Sequence, residues 1–109
     1  MKATLLTLCA VLACQFAFAA GEITQDRAHQ LAATYFARYF SEGCGGVDVP
    51  ILRGATWEAP IRLGVAGTLS GYINIDRRTG TVSYGSYPTA SAQSLGAWST
   101  ALRNRAHNP

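Results

Sequence analysis

The hydrophobic period of this chain changes from helical to strand-like close to residue 44, and this change limits the possible folds more than any other feature. Before it, apolar residues recur every three or four positions, as on the buried face of an amphipathic helix. After it, apolar and polar residues alternate, as in strands with one buried face. The order predicts an α+β domain whose helix comes first.

The helix has recognisable ends in the sequence. Thr24 is a suitable N-cap, Asp26 lies in the first turn, where the helix dipole favours an acid, and Gly43 supplies a stop. The apolar positions expected to lie on the core are Ala28, Leu31, Ala32, Tyr35, Phe36, Tyr39 and Phe40.

Three alternating series follow, and each is predicted to point inward. They contain Val47, Val49 and Ile51, then Trp57, Ala59, Ile61, Leu63 and Val65, then Leu69, Gly71, Ile73 and Ile75. Pro60 cannot donate a ladder hydrogen bond, so its strand is predicted to lie at a sheet edge or to be bulged there. Residues 76–80 are predicted to form a hairpin turn, with Gly80 in the left-handed conformation, and residues 81–84 a fourth strand.

A polar face on every strand indicates an antiparallel sheet covered on one side. The predicted fold is α+β: an N-terminal amphipathic helix packed on one face of a three- to four-stranded antiparallel meander. Residues 91–105 are predicted to form a short C-terminal helix, with Leu95, Trp98 and Leu102 on one side, and residues 106–109 to fray. We expect one domain over residues 20–109, with its core within about residues 24–85.

Residues 1–19 have the anatomy of a secretory signal peptide. Lys2 gives a positive start, residues 3–13 are almost wholly apolar, and Ala17-Phe18-Ala19 offers small residues to a signal peptidase. We expect cleavage after Ala19 and a periplasmic or secreted location. The alternative is a lipoprotein, because Val11-Leu12-Ala13-Cys14 resembles the sequence at which lipoproteins are cut and acylated on cysteine.

Cleavage after Ala19 would leave a single cysteine. Cys9 and Cys14 lie in the leader, so Cys44 could not form an intramolecular disulfide. We expect the Cys44 thiol either to be packed under the end of the helix or to be available to an intermolecular partner, as in a dimer.

Charge and residue spacing argue against several functions. Loss of Lys2 lowers the formal net charge from +3 to +2, which is too small and too dispersed for nucleic-acid binding. Cys44 lacks a neighbouring base, since His29 lies about 22 Å away along a continuous helix. Asp26 and His29 alone do not make a metal site. We therefore expect no enzyme activity, no catalytic residue, no metal and no cofactor, and no membrane association after leader removal unless Cys14 is lipidated.

The helix positions Ala28, Leu31 and Ala32, together with the stretch Tyr72-Ile73-Asn74-Ile75-Asp76-Arg77-Arg78-Thr79-Gly80-Thr81-Val82, resemble the PepSY and cystatin-like group of small secreted α+β domains. Trp57 and the Gly-rich strand after it are similar to small immunity proteins of the nuclear-transport-factor-like fold. The resemblance covers about residues 24–85, and the Gly-Cys-Gly-Gly junction and the Trp98 segment depart from it. It implies a non-catalytic role in inhibiting, chaperoning or neutralising a partner.

The residues predicted to bind such a partner are aromatic or arginine side chains, the types that dominate binding hot spots. They are Arg77, Arg78, Tyr72, Tyr84 and Tyr87. Tyr72 takes the polar, outward parity of its strand, and Tyr84 and Tyr87 are expected to flank the end of the last strand beside Arg77 and Arg78. The expected function is binding, inhibition or neutralisation of another extracytoplasmic protein, through an unpaired edge beside Pro60 or the open sheet face. The alternatives are a periplasmic carrier of a small ligand and a small hydrolase.

Overall fold

A computed structural model describes residues 21–40 and 44–107 of the chain. Its elements are helix α1 (Gln25–Tyr39), strands β1 (Gly45–Val47), β2 (Ile51–Arg53), β3 (Thr56–Leu63), β4 (Thr68–Asp76) and β5 (Val82–Ser83), and helix α2 (Ala92–His107). The predicted α+β class, with a helix, an antiparallel sheet and a C-terminal helix, is confirmed. No helix in the described ranges is both long and apolar enough to cross a membrane. The predicted leader, its two cysteines and Gly43 lie outside these ranges.

Helix α1 begins where the sequence predicts. The Thr24 hydroxyl accepts a hydrogen bond from the backbone N–H of Arg27, which satisfies one of the first free donors of the helix. At the other end, the backbone N–H of Phe40 donates to the carbonyl of Phe36. The buried face of the helix consists of Ala28, Leu31, Ala32 and Tyr35. Phe36, Tyr39 and Phe40 are half-buried beside it.

Strand β3 is the centre of the sheet. It pairs with β4 along one side, and with β1 and β2 in tandem along the other; β5 extends the sheet beyond β4. All pairs are antiparallel. The inward parity predicted for β3 is confirmed, since Ala59 and Ile61 are fully buried and Trp57 and Leu63 half-buried. They meet Ile73, Ile75 and Val82 under α1.

Pro60 lies on this central strand, so the predicted sheet edge beside it was wrong. The carbonyl of Pro60 accepts a hydrogen bond from Asp48 N–H, and the nitrogen of a strand residue faces the same side as its carbonyl. Asp48 follows β1 directly and lies opposite Pro60 in the continued register, so the one ladder hydrogen bond that Pro60 cannot donate falls where β1 ends. A bulge does occur one residue later, between Ile61 and Arg62.

Two interruptions change the parity predicted for the other series. Between β1 and β2 the alternation of inward and outward side chains does not continue that of β1. Val49 and Ile51 are exposed, whereas Pro50 is fully buried. In β4, Ser70 is the extra residue of the bulge, so Leu69 pairs with outward-facing Arg62 and is itself exposed. The prediction that Val49, Ile51 and Leu69 point inward was therefore wrong. Val65, in the β3–β4 turn, is also exposed.

Helix α2 follows the predicted segment closely. The Ser91 hydroxyl accepts a hydrogen bond from Ser94 N–H at its start, and Leu95 is fully buried against the core. Trp98 is half-buried and Leu102 is exposed, so only the first part of the apolar stripe is covered. The helix continues through His107, so the fraying expected from Ala106 is not observed in this range.

Candidate functional site

The five side chains predicted to bind a partner do not lie together. Arg77 and Arg78 occupy the β4–β5 turn. The guanidinium of Arg77 contacts the carboxylate of Glu22 at 2.8 and 2.9 Å. The backbone carbonyl of Arg77 accepts a hydrogen bond from the Ile23 N–H. Arg77 therefore fastens the segment that leads into α1, whereas the Arg78 side chain is exposed.

The β4–β5 turn is held by a carboxylate. Asp76 Oδ1 accepts hydrogen bonds from the backbone N–H groups of Thr79 and Arg78, at 2.9 and 2.8 Å. These two bonds favour the ionised form and hold the pKa of Asp76 below its ordinary value. Gly80 takes the left-handed conformation predicted for it, with φ +75°.

Tyr84 and Tyr87 belong to an aromatic cluster at the other end of α1. Both rings pack on Phe40, Tyr87 in a stacked arrangement with ring centroids 4.8 Å apart, and Phe40 stacks on Phe36. The Tyr84 hydroxyl donates to the carbonyl of Ser70 at 3.3 Å. Ser70 lies seven residues before Arg77 on an extended strand, or roughly 23 Å. The expectation that both tyrosines lie beside the arginine pair is therefore not met.

The loop after β5 is hydrogen-bonded to α1 beside this cluster. Fully buried Tyr35 donates its hydroxyl to the carbonyl of Pro88 at 2.7 Å. Burial raises the pKa of the Tyr35 phenol, with the neighbouring Tyr39 and Tyr87 adding to the effect, so the donor proton is retained. The cluster therefore holds α1 to the loop, although part of Tyr87 remains accessible.

Tyr72 lies on the outer face of the sheet, away from the helices, as its parity predicts. It is directly opposite Pro60, with Leu69 further along the same strand and Ile51 on the far side of β3. Ile51, Leu69 and Tyr72 are 51, 44 and 38% exposed, whereas Pro60 between them is buried. We call Ile51, Pro60, Leu69 and Tyr72 the outer sheet surface.

Ion pairs flank the outer sheet surface on both sides. Arg53 contacts Glu58 at 2.8 Å, and Arg62 contacts Asp48 at 2.9 Å. The arrangement has an apolar centre and a charged, solvated rim, as protein interfaces commonly do. The exposure of Tyr72 was predicted from the sequence, but that of Ile51 and Leu69 was not. The break at residues 48–50 and the bulge at Ser70 change the direction of these two side chains, and neither is evident from the alternating pattern. Gly71, with φ +137°, was the available signal, because glycine inside a strand often marks a bulge.

The exposed β2 edge adjoins this surface. Val49 and Leu52 are exposed beside Ile51, so three large apolar side chains follow one another with only buried Pro50 between them. Two carbonyls of the same stretch are occupied by α1: Gln25 Nε2 donates to Pro50, and His29 Nε2 lies 3.1 Å from the oxygen of Val47.

The groups considered for catalysis are apart. The Cys44 thiol is free and exposed, so the expectation that it packs under the helix end was wrong. His29 is engaged at Val47, three extended residues or roughly 10 Å from Cys44. This is closer than the separation of about 22 Å expected from a continuous helix, because β1 runs back along α1. Among residues 21–40 and 44–107, no group of three His, Cys, Asp or Glu side chains is placed to hold a metal ion.

Comparison of the chain with protein-family models, curated proteins and solved structures found no match.

Proposed function

We propose that this chain is a small exported, non-catalytic domain that binds another extracytoplasmic protein, and thereby inhibits or neutralises it. The observation that carries the proposal is the outer sheet surface, where Ile51, Leu69 and Tyr72 remain exposed inside a rim of ion pairs. Fully burying one exposed large apolar side chain contributes about 1.5–3 kcal/mol, and these three are about half exposed, so each can contribute roughly half of that on binding. The resemblance to PepSY and cystatin-like domains stays a prediction.

Packing favours this proposal over a carrier of small ligands. Tyr35, Leu31 and Ile61 fill the space between α1 and the sheet, and each is almost completely buried. Three of the exposed apolar residues, Ile51, Leu69 and Tyr72, lie on the other face of the sheet. A partner surface, rather than an internal ligand, is what this distribution of exposed side chains suits.

Site-specific crosslinking tests the proposed surface. A photoreactive phenylalanine analogue is placed at position 72 or 51 of the protein exported by its own host, and at position 65 as the control. Val65 is 99% exposed, but it lies in the β3–β4 turn, outside the surface. We expect the same adduct from positions 72 and 51, and none of that mass from position 65. Identical adducts from all three positions, or none, would exclude this surface as the binding site.

Export is part of the proposal and has its own test. The anatomy of residues 1–19 supports a signal peptide, and cleavage after Ala19 gives a mature chain that begins at Ala20. Intact-mass measurement of the protein recovered from the periplasm or medium is expected to match residues 20–109. A mass that corresponds to a chain beginning at acylated Cys14 would replace this assignment with the lipoprotein alternative.

A further inference from the structure

A groove of about 440 Å³ lies between α1 and α2, on the opposite side of the sheet from the outer sheet surface. Its floor includes buried Leu31 and Leu95. We call it the interhelical groove. Its polar lining comes equally from the two helices: Arg27, Gln30 and Thr34 from α1, and Ser99, Thr100 and Arg103 from α2.

The excess positive charge of the described residues lies on these two helices. Together α1 and α2 carry four arginines, which are Arg27, Arg38, Arg103 and Arg105, and a single acid, Asp26. The rest of the described chain carries four arginines and four acids, so its formal charge is balanced. Three of those arginines are in ion pairs. The helix layer is therefore the electropositive side of the domain.

Both arginines of the interhelical groove retain donors for a ligand. Neither has a carboxylate partner within the described part of the chain. Arg27 makes a long contact of 3.4 Å to the Gln30 side chain, and Arg103 one of 3.5 Å to the Thr100 hydroxyl. A guanidinium has five N–H donors, so most remain available. Among residues 21–40 and 44–107, no acid lines the groove; Asp26 lies on the neighbouring flank of α1, in a depression shared with His29.

We infer that the interhelical groove binds an acidic polypeptide segment whose carboxylates pair with Arg27 and Arg103. Charge complementarity selects an anionic ligand, and guanidinium–carboxylate pairs are strong because they form two parallel hydrogen bonds. The side chains of Gln30, Thr34, Ser99 and Thr100 line the same groove and can form hydrogen bonds to a peptide backbone. A concave groove suits a chain segment better than it suits a flat lipid surface. This inference concerns a different face and does not depend on the proposed function.

Fluorescence anisotropy with a labelled peptide of repeated Glu-Ser-Glu-Gly units tests the inference on the full exported protein. The same peptide with Gln in place of Glu is the neutral probe. We expect saturable binding of the acidic peptide only, weakened by added salt. The double variant Arg27→Gln/Arg103→Gln is expected to bind about tenfold or more weakly. The matched variant Arg78→Gln/Arg105→Gln removes two charges outside the groove and is expected to bind within about threefold of wild type.

Each remaining outcome overturns the inference. Equal losses in the two double variants would assign binding to long-range charge rather than to the groove. Equal binding of the Glu and Gln peptides by the wild-type protein would show that the groove is not a site for carboxylates. Protein that ignores the peptide but binds vesicles of phosphatidylglycerol and phosphatidylcholine would identify a lipid surface instead. All four arginines are exposed, so equal melting temperatures are expected for the arginine variants. Tyr72 lies on the other face of the sheet, so Tyr72→Ser is expected to leave peptide binding unchanged.

Discussion

Two adjacent glycines in β1 have opposite surroundings. A Cβ added at Gly45 would lie 2.6 Å from the carbonyl oxygen of Arg62 and 3.2 Å from the ring of Phe36. The backbone oxygen of a central strand cannot move aside easily. We expect Gly45→Ala to lower the free energy of unfolding by about 1–3 kcal/mol, measured by chemical denaturation.

The matched control for this prediction is Gly46→Ala. A Cβ there meets no atom within 4 Å, and alanine suits a strand better than glycine by about 0.5–1 kcal/mol. We expect Gly46→Ala to be neutral or slightly stabilising. Equal destabilisation by the two substitutions would show that β1 does not approach β3 and α1 in the manner described.

Asp76 makes the stability of the β4–β5 turn depend on pH. The hydrogen bonds from Thr79 and Arg78 hold the pKa of Asp76 lower in the folded chain than in the unfolded chain. The folded state then binds fewer protons, so this stabilisation is present above about pH 4 and is lost as the pH falls below it. We expect Asp76→Asn to be less stable than wild type at pH 6.

Melting temperatures measured from pH 6 down to pH 2.5 check the prediction for Asp76. The difference between wild type and Asp76→Asn is expected to shrink as the pH falls, because the wild-type carboxyl becomes protonated. All other acids are the same in the two proteins, so their contributions cancel in the difference. A difference that stays constant with pH would contradict the role given to the ionised carboxylate.

At the scale of elements, the β3–β4 hairpin provides most of the buried sheet surface. Ile73 on β4 is fully buried opposite Ala59, whereas Val65 in the connecting turn is 99% exposed. We expect Ile73→Ala to cost about 2–5 kcal/mol of unfolding free energy, from lost transfer energy and the cavity left behind. Val65→Ala removes a β-branched side chain without a cavity, and is expected to stay within about 0.5 kcal/mol of wild type in the same denaturation series. Similar costs at both positions would contradict the assigned burial.

The spacing of apolar residues correctly predicted which side chains face the core where an element is continuous. It failed where strand pairing is interrupted. The stripe from Ala28 to Tyr35 and the alternation from Trp57 to Leu63 gave the correct faces, because one uninterrupted element fixes the direction of every side chain in it. The extra residue at Ser70 puts Leu69 out of phase with Ile73 and Ile75, and the break after β1 puts Ile51 out of phase with Val47. Such interruptions depend on the partner strand, and a single strand's sequence does not contain that information.

At the scale of the whole molecule, the sequence predicted the kinds of exposed residue but not their neighbours. Tyr72 was correctly expected on the open face. Tyr84 and Arg77 were expected side by side, yet α1 separates them: Tyr84 packs at its C-terminal end and Arg77 at its N-terminal end. The interhelical groove was not predicted, since Arg27 and Arg103 are 76 positions apart in the sequence. Only the packing of α2 on α1 brings them into one lining.

The proposed cleavage after Ala19 determines which cysteines can stabilise the domain. If it removes Cys9 and Cys14, Cys44 is the one remaining cysteine, and its thiol is exposed. A single cysteine cannot cross-link its own chain, so packing of the core must stabilise the monomer. We expect melting curves of the monomer with and without reductant to coincide, and oxidation to give a dimer that Cys44→Ser abolishes. A large loss of monomer stability on reduction would show instead that the cysteines of the leader are retained and bridged.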